Sequence, residues 1–343
     1  MSITEGAAIR NWATVRAALV GVATAIAIVA AQNIAIARYF PQLDRLPTDF
    51  STAYLQRELR LIRSQPAQTI FLGDSVLWGY GLRPQQTAVA LLASLGCACR
   101  NLSFKAGSPP NYYALVRLIE AAGIRPAVVI LEINQKVFSQ TDTSYQTLHP
   151  TLADLSTDFL TAADQAKLTF PESNPLHRKA TRILSSLWTA YAMRTDIREA
   201  FIGEPDARPP SHRPTVADFV GAYDLAPLTH DNVGVRFLKE TVRALRAQRI
   251  PVIAFMTPTN HVLLHEYIDG PEYRANGAYL RRLLGREGVR VVDLDHAIPA
   301  ALFYDNDHMT PQGQRDFAML LAPYVHWAHG TRVFPTVMRK IGR

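Results

Sequence analysis

The chain has 343 residues, 48% hydrophobic and 19% charged, the balance of a globular protein with a sizeable core. A formal charge of +7 would suit a polyanion, but the 29 acidic residues are interspersed among the 36 basic ones, with no long Lys/Arg block and no aromatic-basic motif. A diffuse excess of this kind excludes a dedicated nucleic-acid-binding protein, so no nucleic-acid partner is expected.

Residues 17–37, "AALVGVATAIAIVAAQNIAIA", are 21 residues without a charge. As a helix they span about 31 Å, close to the hydrocarbon thickness of a bilayer. We expect residues 1–39 to form a short tail and a transmembrane anchor. A signal peptide cleaved at Ala35-Ile36-Ala37 is the rival reading, but the run is long for one. Arg10 and Arg16 on one side balance Arg38 and Arg45 on the other, so charge gives no orientation. The short N-terminal segment is taken to stay inside, which places the remainder outside the cytoplasm, in a periplasmic setting. Residues 40–65 read as a polar, partly helical connector.

From residue 66 a pattern repeats: a short apolar strand, a loop, an amphipathic helix. Candidate strands are Thr69–Leu72, Arg100–Phe104, Ala127–Ile133, Pro251–Met256 and Val289–Leu294. Helical runs such as "NYYALVRLIEAAG" and "AYLRRLLGREG" end on a Gly at the expected C-terminal position. This alternation predicts an α/β fold with a mostly parallel five-stranded sheet covered on both faces. Residues 136–234 break the rhythm with helix-like stretches and the Pro-rich "GEPDARPPSHRP", and read as a helical insertion that caps a site or offers a partner surface. Cys97 and Cys99, at i and i+2 of an apparent strand, are awkwardly placed to bond each other and read as small buried apolar side chains.

In an open parallel sheet, reactive groups gather beyond the carboxyl ends of the strands. There the sequence places Ser75, then Gly107, then Asn134, then Asp305 and His308. A serine hydroxyl is a poor nucleophile unless a base removes its proton, and His308 would be that base with Asp305 orienting it. The Ser75 N–H, the Gly107 N–H and the Asn134 amide would stabilise the oxyanion. Ser75 alone reads equally well as a helix cap, and Asp307 is the rival partner for His308, although adjacent side chains usually diverge. His261 and His265, four apart, would share a helix face, but the His-Glu-x-x-His order is absent. Asp305, Asp307 and His308 offer few oxygen ligands for a hard cation. The turn at Lys105-Ala106-Gly107 carries no phosphate-loop pattern, and no cofactor or metal is expected.

Gly73-Asp74-Ser75, Gly107, Asn134 and Asp305-x-x-His308, in that order, resemble the four blocks of the SGNH (GDSL) hydrolases. The resemblance covers roughly residues 66–328, within a domain taken as residues 66–343. It implies a flavodoxin-like three-layer α/β/α sandwich that cleaves or transfers acyl groups on esters. The third block departs from the usual Gly-x-Asn-Asp, with Glu132 where Gly is expected, and the Gly of the second block lies further than usual from Asn101. A Gly-x-Ser-x-Gly elbow is absent, because Leu77 stands at its second Gly. The anchor and the insertion make the chain similar to the extracytoplasmic branch that includes alginate-type O-acetyltransferases and the D-alanyl-transfer protein of teichoic-acid synthesis. That branch implies an acylated donor, a carbohydrate acceptor and a membrane-bound O-acyltransferase as partner. The alternative is a catalytically inactive, membrane-tethered scaffold of the same fold.

Overall fold

The computed structural model describes residues 3–39, 50–65, 68–172, 175–194, 214–219 and 221–328. Arg45, most of the Pro-rich stretch and the first ten residues of the expected connector lie outside them. The chain opens with helix α1 (Ile3–Tyr39) and α2 (Thr52–Ser64). Strand β1 (Thr69–Leu72) then leads into the one-turn α3 (Ser75–Trp78) and α4 (Ala88–Ser94), and β2 (Cys99–Asn101) into α5 (Pro109–Ala121). After β3 (Val128–Ile133) come only short helices among the described residues: α6 (Pro150–Leu155), α7 (Ala162–Lys167), α8 (Pro175–Leu187) and α9 (Thr189–Ala192). The α/β rhythm resumes with α10 (Val233–Ala247), β4 (Val252–Met256), α11 (His261–Ile268), α12 (Pro271–Arg286), β5 (Arg290–Asp293) and α13 (Pro311–Ala328).

All five strands are parallel, in the order β2-β1-β3-β4-β5. This is the flavodoxin-like order, and its switch point falls between β1 and β3. Side chains alternate across the sheet as a two-residue period requires. Ile70, Leu72, Val129, Leu131, Ile133 and Ala254 face one cluster with α2, α5, α10 and α12. Phe71, Val128, Ile130, Ile253 and Phe255 face the other, with α4 and α13. The sheet is therefore buried on both faces, and truncating a fully buried residue such as Phe71 to Ala would cost about 3–5 kcal/mol.

Three expectations change. Residues 50–65 are more than a connector: Phe50, Tyr54, Leu55 and Ile62 are buried in the core, and the Tyr54 hydroxyl donates to the Asn101 carbonyl. The second strand stops at Asn101, because the Asn101 side chain accepts from the Ser103 N–H at 3.0 Å and bends the chain. Cys97 and Cys99 are bonded to each other. Cys97 lies ahead of β2, in a tight turn where the Cys99 N–H donates to the Cys97 carbonyl (2.9 Å) and the Cα atoms approach to 5.2 Å.

Candidate active site

β1 ends at Leu72, Gly73 follows it, and Asp74 caps α3 by accepting from the Val76 N–H at 2.9 Å. Ser75 is thereby the first residue of a one-turn helix at the switch point, 8% exposed. Close packing explains both glycines of the region. A Cβ on Gly73 would collide with the Glu132 carboxylate and Leu77, and one on Gly107 with the Gly73 carbonyl. Gln314 of α13 secures the turn from the far side, accepting from the Ala88 N–H (2.8 Å) and donating to the Val76 carbonyl (2.9 Å).

The loop after β5 is closed by an antiparallel bridge between Phe303 and Met309 and by the Tyr304 N–H donating to the His308 carbonyl at 2.7 Å. Inside it, Asp305 Oδ1 accepts from the N–H groups of Asp307 (3.1 Å) and His308 (2.8 Å). This fixes the carboxylate so that Oδ2 lies 2.7 Å from His308 Nδ1. His308 Nε2 lies 2.8 Å from Ser75 Oγ, across 233 residues of sequence. Asn260, after β4, fastens the loop with its N–H to the Asn306 carbonyl (2.8 Å) and its amide to the Asp305 carbonyl (3.0 Å). A neutral His308 that gives its Nδ1–H to Asp305 presents Nε2 as an acceptor toward the serine hydroxyl. Burial pushes the imidazolium down, but the Asp307 charge and the Asp305 hydrogen bond outweigh it and hold His308 above its ordinary value.

Asp307 lies too far for a hydrogen bond to His308 Nδ1, at 3.5 Å, and takes a different role. Fully buried, it ion-pairs with the Lys136 ammonium and accepts from the Asn134 amide at 2.8 Å. Burial would raise the Asp307 carboxyl, but Lys136 and then His308 pull it below the ordinary range. Burial would lower Lys136, and Asp307 with Asp74 reverses that. Asp74 itself is raised by burial against the opposing pull of Lys136. Glu132 lies beneath, accepting from the Asp74 N–H (2.8 Å) and the Thr257 hydroxyl (3.1 Å), and burial plus the Asp74 charge raise it well above the carboxylate range. Lys136 is the buried member of this cluster that sequence reasoning passed over. Its signal was a lone cation just beyond the apolar strand β3, in the turn that Asn134 caps.

The three expected oxyanion donors are not brought together. Asn134 Nδ2 gives its two hydrogens to Asp74 Oδ2 (2.9 Å) and Asp307 Oδ2 (2.8 Å). The Gly107 N–H donates to the Phe104 carbonyl at 2.9 Å, in a turn that puts Ala106 at φ 57°. Only the Ser75 N–H, at the start of α3 where no intrahelical carbonyl exists, has no partner among the described residues. Beside Ser75 and His308, Tyr80 sets its ring 4.7 Å from that of His308 and takes the Lys105 ammonium 5.2 Å above its own ring.

Two clusters among the described residues could place three ligand atoms around a cation, and protein groups already engage part of each set. Asp305, Asp307 and His308 lie within 4.8 Å of one another, but Lys136 already neutralises Asp307 and His308 bridges Asp305 to Ser75. His261 does not join His265: it stacks on His296 at 3.7 Å and turns one ring nitrogen to Asp269 (2.6 Å) and the other to Asp295 (3.1 Å).

A protein-family model matches residues 229–327, the stretch from α10 through α13. No curated protein matches the sequence. Among solved structures, the chain is similar to a GDSL-like lipase from Bacteroides thetaiotaomicron at 9% identity and TM-score 0.41, covering 81% of this chain and 99% of that one. A lipolytic protein of the G-D-S-L family from Veillonella parvula matches at 11% identity and TM-score 0.37, covering 78% and 100%. A family two carbohydrate esterase from Clostridium thermocellum matches at 10% and 0.37, covering 78% and 66%.

Proposed function

We propose that the protein is a serine-dependent acyltransferase or esterase of the SGNH type, acting on a cell-envelope or exported polysaccharide. The observation that carries this reading is the unbroken chain Ser75 Oγ–His308 Nε2 (2.8 Å) and His308 Nδ1–Asp305 Oδ2 (2.7 Å) at the switch point of the sheet. Ser75 Oγ attacks the acyl carbonyl as its proton passes to His308 Nε2, and the Ser75 N–H stabilises the oxyanion. Collapse expels the leaving alcohol, which takes the proton from His308 and leaves an acyl-serine. In the second half, His308 removes a proton from the acceptor hydroxyl or from water as that oxygen bonds to the acyl carbon; the Ser75 Oγ–acyl bond then breaks and Oγ takes the proton back from His308. Acetyl is the acyl group favoured by the resemblance.

Residues 1–39 are proposed as a retained single-pass anchor with the N-terminus inside. A helix over Thr14–Ile36, with mean hydropathy 2.1 and no residue buried, supports it. The Cys97–Cys99 disulfide supports a domain outside the cytoplasm, where such bonds persist.

The test is Ser75→Ala in the full chain, with turnover of p-nitrophenyl acetate as readout. Loss of about four to six powers of ten in kcat is expected, and undiminished turnover would overturn the assignment. The scaffold reading keeps one observation in its favour, the engagement of Asn134 and Gly107 away from the oxyanion position. A fluorophosphonate probe separates the two, since a triad enzyme becomes labelled at Ser75 and an inert scaffold does not.

A further inference from the structure

Helix α8 is inside out. Its side chains Thr181 and Ser185 are buried, at 4% and 5% exposure, and the Ser185 hydroxyl has no partner among the described residues. Its apolar side chains face away: Leu176 is 75% exposed, Ile183 44%, Leu184 39% and Leu187 65%, with Ala180 exposed between them. The spacing 176, 180, 183, 184, 187 is one continuous stripe on a helix. A soluble surface helix turns such a stripe inward, so this one requires an apolar medium outside the protein.

The neighbour of the stripe identifies the medium. Asn33 of α1 donates to the Leu187 carbonyl at 2.9 Å and accepts from the Thr189 N–H at 2.8 Å, and the Trp188 indole donates to the Gln32 amide oxygen at 2.7 Å. Gln32 and Asn33 lie within the last turn or so of the apolar span Thr14–Ile36, about 5 Å from its end. That depth is the boundary between hydrocarbon and headgroups. Trp188 and Tyr191, stacked at 6.0 Å, sit at the same level, as aromatic residues do at membrane interfaces. Lys179 and Arg194 are exposed basic side chains suited to lipid phosphates.

We infer that the C-terminal half of α8, through Ile183, Leu184 and Leu187, lies in the outer interfacial layer of the bilayer, so that the catalytic domain is docked on the membrane at a fixed height rather than swinging from its anchor. This rests on the reading of α1 as an anchor, and the polar bonds from Gln32 and Asn33 clamp the two elements together. The insertion thus has a membrane-binding surface of its own, continuous with the lipid-facing side of α1.

The experiment uses the full chain in phosphatidylcholine/phosphatidylglycerol vesicles, with single nitroxide labels at Ile183→Cys, Leu187→Cys, Ala25→Cys and Arg83→Cys. Collisions with oxygen and with a water-soluble nickel chelate report depth. The expected result is a lipid-like ratio at 25, a water-like ratio at 83, and a shift toward the lipid-like ratio at 183 and 187. Labels at 183 and 187 that match position 83 while position 25 remains in lipid overturn the docking and leave the anchor standing. Labels at 183 and 187 that are immobilised and shielded from both agents show a protein covering the stripe, and also overturn it. A water-like ratio at 25 is the separate failure of the anchor itself, and removes the inference with it.

Discussion

Two histidines stand at the same edge of the sheet, each flanked by carboxylates, and only one of them also faces a serine hydroxyl. His308 has Asp305 at Nδ1 and Ser75 at Nε2. His261 has Asp269 at 2.6 Å from Nδ1 and Asp295 at 3.1 Å from Nε2, and a cleft of about 380 Å³ opens beside it with no serine in its lining. In both, burial lowers the imidazolium and the acidic neighbours more than reverse it. A raised histidine pKa therefore says little about function here. The second ring nitrogen is where the two differ: that of His308 faces the Ser75 hydroxyl, and that of His261 a carboxylate.

Amidating the orienting carboxylates gives the largest expected difference. In Asp305→Asn the Oδ1 contacts with the loop N–H groups survive, but the new amide donates toward Nδ1, forcing the proton onto Nε2. A histidine in that tautomer cannot accept from Ser75, and kcat for p-nitrophenyl acetate should fall about 10,000-fold. Asp269→Asn should leave kcat unchanged. Equal effects from the two substitutions would erase the distinction between the histidines.

A smaller but still large effect concerns the support beneath His308, which has no counterpart at His261. Lys136→Met strands the Asp307 carboxylate in the interior and should destabilise the protein by about 3–5 kcal/mol. Lys136→Met combined with Asp307→Leu removes both charges and should recover much of that loss. Urea midpoints of the full chain in detergent would read both. A double variant no more stable than the single one would mean that the charge pair is not what Lys136 contributes.

That support is also where sequence reasoning ran out. The five strands were legible to within a few residues because period-two burial and β-branched runs are local properties of the chain. Ser75, Asp305 and His308 were legible because a parallel sheet sends everything after a strand to one edge. Pairings between elements are not local. Asn134 and Lys136 meet Asp307 across 173 and 171 residues, at distances set by how β3 packs against the loop after β5. Glu132, noted in the sequence only as a replacement for glycine, accepts the Asp74 N–H beneath the turn that carries Ser75. The Cys97–Cys99 bond escaped for the opposite reason: one hydrogen-bonded turn before β2, too short to carry a periodic signal, brings the sulfurs together.

The smallest expected effect asks what His261 is for. Its folded-state pKa lies above the ordinary value, so the unfolded chain holds that proton less tightly than the folded one. The resulting stabilisation is complete below the unfolded value of about 6.5 and fades as the pH rises through the folded one. His261→Gln should therefore cost roughly 0.5–1 kcal/mol near pH 5, a modest figure because solvent partly screens the pair, and close to nothing in mildly alkaline solution. Unfolding midpoints measured across that range, alongside unchanged esterase activity, would assign His261 to stability alone. A cost that stayed constant with pH would point to ring packing on His296, 3.7 Å away, rather than to charge. A loss of turnover would instead bring the cleft beside His261 into the catalytic cycle, and the two histidines would have to be treated as one site.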